Sequence, residues 1–129
     1  MNMTISTRQV HSVTMVDING RIVLEECALL RDLLSNVLAA GHNKILLNLA
    51  GTTRVDTAGL AYLISGLVSA RKQQGELKLL GPAKNVREVI RLTKLDTVFD
   101  IIDDEAAAVM SFSANSAAAN ARLSNEVFT

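Results

Sequence analysis

The sequence is poor in aromatic residues and in cysteine. Aromatic side chains make up 3% of its 129 residues and tryptophan is absent, so base-stacking surfaces and aromatic cation cages are not expected. The single cysteine, Cys27, allows no intramolecular disulfide, which suits a reducing compartment. We expect Cys27 to be a small buried side chain of the first helix.

An excess of charge of either sign is also missing. Thirteen basic residues balance thirteen acidic residues, so no overall field favours nucleic acid or a membrane surface. The N-terminal residues lack the apolar core of a signal peptide, and the longest apolar-rich stretch, residues 58–70, is too short to span a bilayer. With 49% hydrophobic residues, the chain is expected to be a globular cytoplasmic protein.

Side-chain sets that bind metals or catalyse reactions are not apparent. The two histidines, His11 and His42, are far apart in the sequence and have no cysteine or carboxylate at ligand spacing. No Ser-His-Asp set is visible, and residues 51–56 lack the Gly-Lys-Ser/Thr ending of a P-loop. We therefore expect no cofactor, no metal site and no enzymatic activity.

Hydrophobic periodicity predicts strands and helices that alternate. Two β-rich segments, residues 3–10 and 12–18, precede a turn signal at Asn19-Gly20 and a short strand at 21–24. Residues 51–54 are polar and predict a loop. Further along, helices are predicted at residues 25–40, 57–74 and 83–93 and from Asp103 or Asp104 to Met110, and strands at residues 45–49, 77–80 and 98–102.

This order predicts an α/β fold: a mixed β-sheet with an antiparallel N-terminal edge and four helices packed against it. Strands that alternate with helices imply parallel crossovers, whereas the first two segments pair as neighbours. Gly41 and Gly75 are expected to end the first two helices. Residues 1–110 form the expected domain, and residues 111–129 form an Ala-, Ser- and Asn-rich C-terminal tail.

The most informative segment is residues 55–60, Val-Asp-Thr-Ala-Gly-Leu, at the start of the predicted second helix. A helix that opens on Asp56-Thr57 places the Thr57 hydroxyl where free backbone N–H groups and the helix dipole favour a phosphate. Asp and Thr are also preferred N-cap residues. From these residues alone, helix capping is the favoured interpretation and a phosphorylation switch is the alternative.

The apolar side of the second helix and a basic side of the third helix are also predicted. The inner side of the second helix is expected to carry Leu60, Leu63, Ile64, Leu67 and Val68.

The basic stripe of the third helix consists of Lys84, Arg87, Arg91 and Lys94. Its spacing is typical of a solvated helix face, and a rim that steers an acidic partner is the alternative. Four basic residues in a chain without net charge do not indicate nucleic-acid binding.

The order of these motifs resembles the STAS domain of bacterial anti-sigma factor antagonists. In that family the hydroxyl residue after the Asp is phosphorylated by an anti-sigma factor with kinase activity, and the unphosphorylated form binds that kinase and releases a sigma factor. The resemblance covers about residues 3–110 and rests on the Asn19-Gly20 turn signal, the Ile45–Leu49 strand, the Asp-hydroxyl-x-Gly-Leu motif at residues 56–60, the Gly81-Pro82 strand end and the segment 95–102.

The resemblance implies that Thr57 is the phosphoacceptor and Asp56 its neighbouring carboxylate, and it favours the switch over a simple cap. The implied partners are an anti-sigma factor with serine/threonine kinase activity and a matching phosphatase, with no direct contact to nucleic acid or membrane. The turn after residue 19 and the loop before the second helix are expected to open toward the same edge of the sheet, with the third helix as a flank. The predicted partner-binding residues are therefore Arg21, Val23, Val55, Ala58, Gly59, Lys84 and Arg87.

Two features of the sequence differ from the family pattern. Thr57 stands where most relatives have serine, although stressosome-type relatives carry threonine at comparable sites. Arg21 and Val23 stand where relatives often have acidic residues. A change of charge in that loop implies that a different kinase docks there.

Two other functions stay open on the sequence. A STAS-type subunit of another assembly, such as a stressosome or a lipid-transport complex, would use the same surface without phosphorylation. A small enzyme or nucleotide-binding protein on this fold is disfavoured by the missing catalytic set. The sequence does not determine the oligomeric state, the sigma factor or the kinase.

Overall fold

A mixed β-sheet organises the structure, a computed structural model that describes residues 3–112. The strands are β1 (Thr4–Val10), β2 (Val13–Ile22), β3 (Lys44–Asn48), β4 (Thr52–Val55), β5 (Glu76–Leu80) and β6 (Ile101–Ile102). The helices are α1 (Cys27–Ala39), α2 (Thr57–Lys72), α3 (Lys84–Leu92) and α4 (residues 105–112, reaching the last described residue).

The sheet has the mixed topology that the sequence predicts. β1 pairs antiparallel with β2, and the other four pairings are parallel. The strand order is β1-β2-β3-β5-β6, and β4 pairs with the last residues of β2, beyond the part of β2 that pairs with β3. The α/β fold with an antiparallel N-terminal edge and four helices is confirmed.

Two hydrophobic clusters cover the two faces of the sheet. Ile45 and Leu47 of β3 belong to the larger cluster, which contains the inner sides of α1, α2 and α3. Leu46 belongs to the smaller cluster, which contains the inner side of α4. All three side chains are fully buried, as predicted for a strand with both faces covered.

A buried lysine lies against the smaller cluster. The side chain of Lys78 on β5 is 1% exposed, and its Nζ donates to Ser111 Oγ at 2.9 Å. The same Nζ lies 4.8 Å from the centre of the Phe112 ring and 3.6 Å from Asp100 Oδ2. A buried charge is costly unless its donors have partners. Ser111 and Phe112 of α4 contact the Lys78 Nζ, so these contacts also connect α4 with β5.

β2 continues through Asn19-Gly20, where the sequence predicts a turn, and that prediction is wrong. Asn19 still pairs with Thr4 of β1, and the register between β2 and β4 shifts between Gly20 and Arg21. Gly20 has a φ of 100°, which glycine adopts without steric cost. The glycine therefore forms a β-bulge that lets β2 change partner from β1 and β3 to β4.

Residues 51–54, predicted to be a loop, contain most of β4. Thr52 is 1% exposed, and its Oγ1 donates to the Ile18 carbonyl at 3.0 Å. Arg54 and Val55 lie opposite Arg21 and Ile22 of β2. The loop prediction is wrong because a buried hydroxyl can bond to a neighbouring backbone carbonyl, so a polar sequence forms a strand here.

Two details of α2 also differ from prediction. Gln74, not Gly75, has the left-handed φ of 61° after the helix. Gly75 is required for another reason, since an added Cβ would lie 1.9 Å from the Asn43 carbonyl oxygen. Val68 is 46% exposed rather than on the inner side.

The predicted end of α1 is confirmed, because Gly41 follows it with a φ of 88°.

The C-terminal elements have different bounds from those predicted. Of the strand predicted at residues 98–102, only Ile101–Ile102 pair with β5, and a 3-10 turn at Leu95–Thr97 precedes the segment. Asp104 caps α4, with its Oδ2 accepting the Ala107 N–H at 2.8 Å, and α4 continues past Met110. The predicted division into a domain and a tail stays a prediction, since residues 113–129 lie outside the described residues.

Candidate functional site

Asp56 lies where β4 ends and α2 begins, and its carboxylate is held by two backbone N–H groups. Oδ1 accepts the Gly59 N–H at 2.8 Å, so Asp56 is the N-cap of α2. Oδ2 accepts the Leu24 N–H at 3.2 Å. This second bond connects the start of α2 with the 3-10 turn Leu24–Glu26 that follows β2.

These hydrogen bonds lower the pKa of Asp56. The Gly59 N–H has the largest effect, and the Leu24 N–H, the positive charge of Arg54 and the Ala58 N–H act in the same direction, while burial opposes them. Asp56 is therefore ionised at neutral pH. The start of α2 thus carries a fixed negative charge.

Thr57 is the first residue of α2, and its side chain is exposed. Among residues 3–112, the Thr57 hydroxyl takes part in no hydrogen bond. The cap of α2 is made by Asp56 instead. Helix capping, the interpretation favoured from the residues alone, is confirmed for Asp56, whereas the Thr57 hydroxyl takes no part in the cap. That hydroxyl is accessible at the positive end of the helix dipole.

Gly59 permits the close approach of α2 to β2. An added Cβ would lie 2.1 Å from the Ile22 carbonyl oxygen. The same oxygen accepts the Asp56 N–H at 3.3 Å. Gly59 is buried and has no side chain. Its contribution to the site is therefore the position of the helix start.

The predicted partner-binding residues before α2 lie close to Asp56 but differ in exposure. Arg21 lies opposite Arg54 in the register between β2 and β4, and Ala58 is half-buried. Val23 and Val55 are each 5% exposed, so their side chains pack in the core. Contact between these residues and a partner stays a prediction.

Arg21 is also anchored within the protein. Its Nη2 lies 3.3 Å from Glu26 Oε1. Among the residues described, the Arg21 Nε and the Glu26 Oε2 are buried without a hydrogen-bond partner. Reversing the charge of Arg21 would leave Glu26 facing a second carboxylate, so Arg21 is not a simple rim charge.

The two predicted partner-binding residues on α3 have different surroundings. Asn85 Nδ2 donates to the Thr53 carbonyl, which places the neighbouring, exposed Lys84 beside β4. Arg87 pairs with Asp103, which follows β6. Lys84 is therefore an exposed charge next to a residue bonded to β4, whereas the charge of Arg87 is paired with Asp103, and contact of either residue with a partner stays a prediction.

The remainder of the basic stripe does not form one continuous surface. Arg91 pairs with Glu88 on the same helix. Lys94 has a left-handed φ of 63° and lies after the end of α3. Arg91 therefore fits the interpretation of a solvated helix face, whereas Lys94 is not part of the helix.

Sequence reasoning missed two exposed residues at this site, Leu24 and Arg54. Leu24 is 64% exposed although its N–H binds Asp56, and Arg54 is exposed on β4. The sequence placed Leu24 in a strand and Arg54 in a loop. The two acidic residues after Leu24 could have indicated a helix start instead.

The structure offers few groups for a bound metal or a reactive thiol. The residues described contain no group of three or more His, Cys, Asp or Glu side chains that could hold a metal ion. Cys27 is buried in α1, as predicted, and burial raises the pKa of its thiol. No helix within residues 3–112 is long and apolar enough to cross a membrane.

Sequence comparison finds relatives of this chain. The Mlab STAS domain family matches residues 5–103. The TM1081 homolog of Thermotoga neapolitana, named as a candidate anti-sigma factor antagonist, is 33% identical over 66 residues, which are 51% of this chain and 58% of that protein. The match thus spans little more than half the length of this curated relative.

Solved structures have the same fold. TM1081 of Thermotoga maritima, also named as a candidate anti-sigma factor antagonist, is 25% identical with a TM-score of 0.80, over 84% of this chain and 94% of that chain. Phosphorylated SpoIIAA of Bacillus is 15% identical with a TM-score of 0.67, over 84% of this chain and 98% of that chain, and shows the fold alone. The chain belongs to the STAS domain family, and the two TM1081 proteins that it resembles are named as candidate anti-sigma factor antagonists.

Proposed function

We propose that this protein is an anti-sigma factor antagonist whose partner binding is switched by phosphorylation of Thr57. The unphosphorylated form binds, in the cytoplasm, an anti-sigma factor with serine/threonine kinase activity and so frees a sigma factor. A matching phosphatase restores the binding form. The protein acts as a regulatory binding module rather than as an enzyme.

The exposed Thr57 hydroxyl is the observation that carries this proposal. It lies at the start of α2, and Asp56 provides the cap, so a phosphoryl group on Thr57 replaces no hydrogen bond made within residues 3–112. The fold itself is compatible with the modification, since SpoIIAA of Bacillus has been solved in a phosphorylated form.

Phosphorylation would change the charge of the site without unfolding the helix. A phosphate adds about −1.5 to −2 charges, which the positive end of the α2 dipole stabilises locally. Asp56 is already ionised beside it, so two like charges would have to lose water in an interface. A cost of about 2.7 kcal/mol lowers affinity roughly a hundredfold.

The surface around Thr57 also indicates the chemistry of the partner. Leu24 provides an exposed apolar side chain, and its backbone N–H is bonded to Asp56, so Leu24 lies beside the start of α2. Arg54 and Lys84 add exposed positive charge beside β4. A partner with an apolar pocket and an acidic rim fits this surface.

The phosphoacceptor can be tested with the purified protein, ATP and a cognate anti-sigma kinase. Mass spectrometry is expected to find one phosphate, on Thr57. Thr53 is the internal control, because it is exposed on the adjacent strand, whereas Thr52 is buried. Phosphate on Thr53 with Thr57 unmodified would refute the assignment. A stable complex without any phosphate transfer would favour the assembly-subunit alternative.

A further inference from the structure

Arg54 is the basic residue closest to Thr57 in the sequence, and its side chain is exposed. It lies on β4, which leads directly into Asp56 and the start of α2. Three peptide units join Arg54 to Thr57, so their Cα atoms are at most about 11 Å apart. A long arginine side chain and a phosphate on Thr57 can span a separation of that size.

The charge of Arg54 acts on the start of α2. The pKa of Asp56 is lowered chiefly by the Gly59 N–H and, among charged groups, by Arg54. Because salt screens exposed charges beyond about 8–10 Å, the guanidinium has to lie near the Asp56 carboxylate. This carboxylate belongs to the residue directly before Thr57.

Arg54 has no partner of its own within the described structure. Among residues 3–112, its guanidinium takes part in no salt bridge. The Asp56 carboxylate accepts two backbone N–H groups instead. The N–H donors of the Arg54 guanidinium are therefore available to another acceptor.

A second arginine faces Arg54 across the two strands. Arg21 lies opposite Arg54 in the register between β2 and β4, and like charges directly opposite each other are unfavourable. Glu26 compensates the charge of Arg21, since its Oε1 lies 3.3 Å from Arg21 Nη2. Within residues 3–112, no carboxylate compensates Arg54 in the same way. An anion at this place would therefore relieve a repulsion in addition to forming bonds.

We propose that a phosphate on Thr57 is held by the Arg54 guanidinium of the same chain. The inference rests on the proposed phosphorylation of Thr57 and names the group that receives the phosphate. Arginine suits this role, because its planar fork of N–H donors matches two oxygens of a phosphate.

The pairing gives phosphorylation a second effect on the partner surface. Without the phosphate, Arg54 is an exposed charge that can meet an acidic rim of the partner. With the phosphate, that charge is withdrawn into the pair. The charges of Arg54 and Asp56 cancel, so the added charge of about −1.5 to −2 leaves the start of α2 net negative.

Phosphorus NMR tests the pair on the full chain with phosphothreonine incorporated at residue 57 during translation. The second pKa of a phosphorylated threonine is ordinarily about 6, and a cation in contact with the phosphate lowers it. Arg54→Gln should therefore raise this pKa by about one unit relative to the parent. Circular dichroism verifies the fold of the variant. Equal pKa values for the parent and Arg54→Gln would overturn the proposal.

Two control variants separate a direct pair from a general effect of charge. Arg71→Gln removes the same charge at the other end of α2, about 21 Å from Thr57, and should leave the pKa of the phosphate unchanged. Lys84→Gln removes the exposed charge beside β4 that belongs to α3. A rise in either control as large as that in Arg54→Gln would overturn the assignment to Arg54.

Nitrogen NMR of the arginine Nε–H groups tests the pair without a substitution. The Arg54 signal should move when Thr57 carries the phosphate, whereas the Arg71 signal should not. An Arg54 signal that does not respond would overturn the proposal.

These measurements are independent of the proposed function in their outcome. Because the phosphothreonine is incorporated during translation, they need neither the kinase nor the partner. A kinase that leaves Thr57 unmodified would overturn the proposed function, whereas the NMR results would still decide whether Arg54 holds the phosphate.

Discussion

α2 and α4 begin with the same cap but differ in the residue that follows it. Asp56 and Asp104 each accept the N–H of the residue three positions later, at 2.8 Å in both helices. The next residue of α4 is Glu105, which pairs with Arg8 of β1. The next residue of α2 is Thr57, which is exposed and whose hydroxyl takes part in no hydrogen bond among residues 3–112.

This difference shows that an Asp cap by itself does not mark a functional site. The Asp56 carboxylate also binds the Leu24 N–H, so the start of α2 is joined to the end of β2. Gly59 brings the same helix start against the Ile22 carbonyl. A rigid helix start with an accessible hydroxyl beside a fixed charge is what distinguishes α2.

The largest expected effect is on partner binding by Thr57→Glu. The variant should keep its fold, because α4 shows that Glu directly after an Asp cap is compatible with a helix start. It should lose roughly a hundredfold in affinity for the anti-sigma kinase, about 2.7 kcal/mol, since it places charge beside ionised Asp56. Isothermal titration calorimetry measures this, with Thr53→Glu as the control. Binding as tight as that of the parent would show that the charge-switch mechanism is wrong.

A second large difference is expected at the third residue of each helix. Gly59→Ala should destabilise the protein by about 1–3 kcal/mol, because the new Cβ would lie 2.1 Å from the Ile22 oxygen and α2 must shift. The equivalent residue of α4 is already Ala107. Urea denaturation measures the loss. Unchanged stability of Gly59→Ala would mean that α2 is not held against β2 as described.

The caps themselves should differ in strength. Removal of an Asp cap costs about 0.5–2 kcal/mol. Asp56→Ala should lie at the upper end of that range, because the Leu24 N–H also loses its acceptor. Asp104→Ala should lie at the lower end, with a single bond lost. Thermal unfolding of the two variants checks the order, and an equal loss would contradict the role of the Leu24 bond.

The Asp56 cap should also depend on pH. The folded-state pKa of Asp56 is lowered, chiefly by the Gly59 N–H, so its charge contributes stability above the unfolded pKa of about 3.9. That contribution is lost as pH falls through the folded pKa. The stability difference between the parent and Asp56→Asn should therefore be largest near neutral pH and shrink below about pH 4. Asp17, whose pKa is lowered by Arg8, titrates in both proteins and therefore cancels in the comparison. A stability difference between the parent and Asp56→Asn that did not change with pH would contradict the charge effect.

The sequence predicts the elements that depend on local signals. The alternation of strands and helices follows from hydrophobic periodicity, and the start of α2 follows from Asp56-Thr57. β4 could not be predicted in this way, because it depends on the bond between the Thr52 hydroxyl and the Ile18 carbonyl, which are distant in sequence.

The same limit applies to the site. Asp56 and Thr57 could be predicted because cap residues have a short-range pattern. The exposure of Leu24 and the second bond to Asp56 depend on how β2 ends beside α2. The bulge at Gly20 determines that arrangement, and an Asn-Gly pair is equally typical of a turn.

The smallest expected effect is that of Thr57→Ala. Asp56 makes the cap, and the Thr57 hydroxyl has no bond to lose within the described structure, so stability should change by no more than about 0.5 kcal/mol. Partner binding should persist and should no longer respond to ATP, because the acceptor oxygen is gone. Asp56→Ala is the matched comparison, since it removes the cap but keeps the acceptor. If Thr57→Ala destabilised the protein as much as Asp56→Ala, the hydroxyl would have a structural role at the start of α2, and the distinction from α4 would lose its basis.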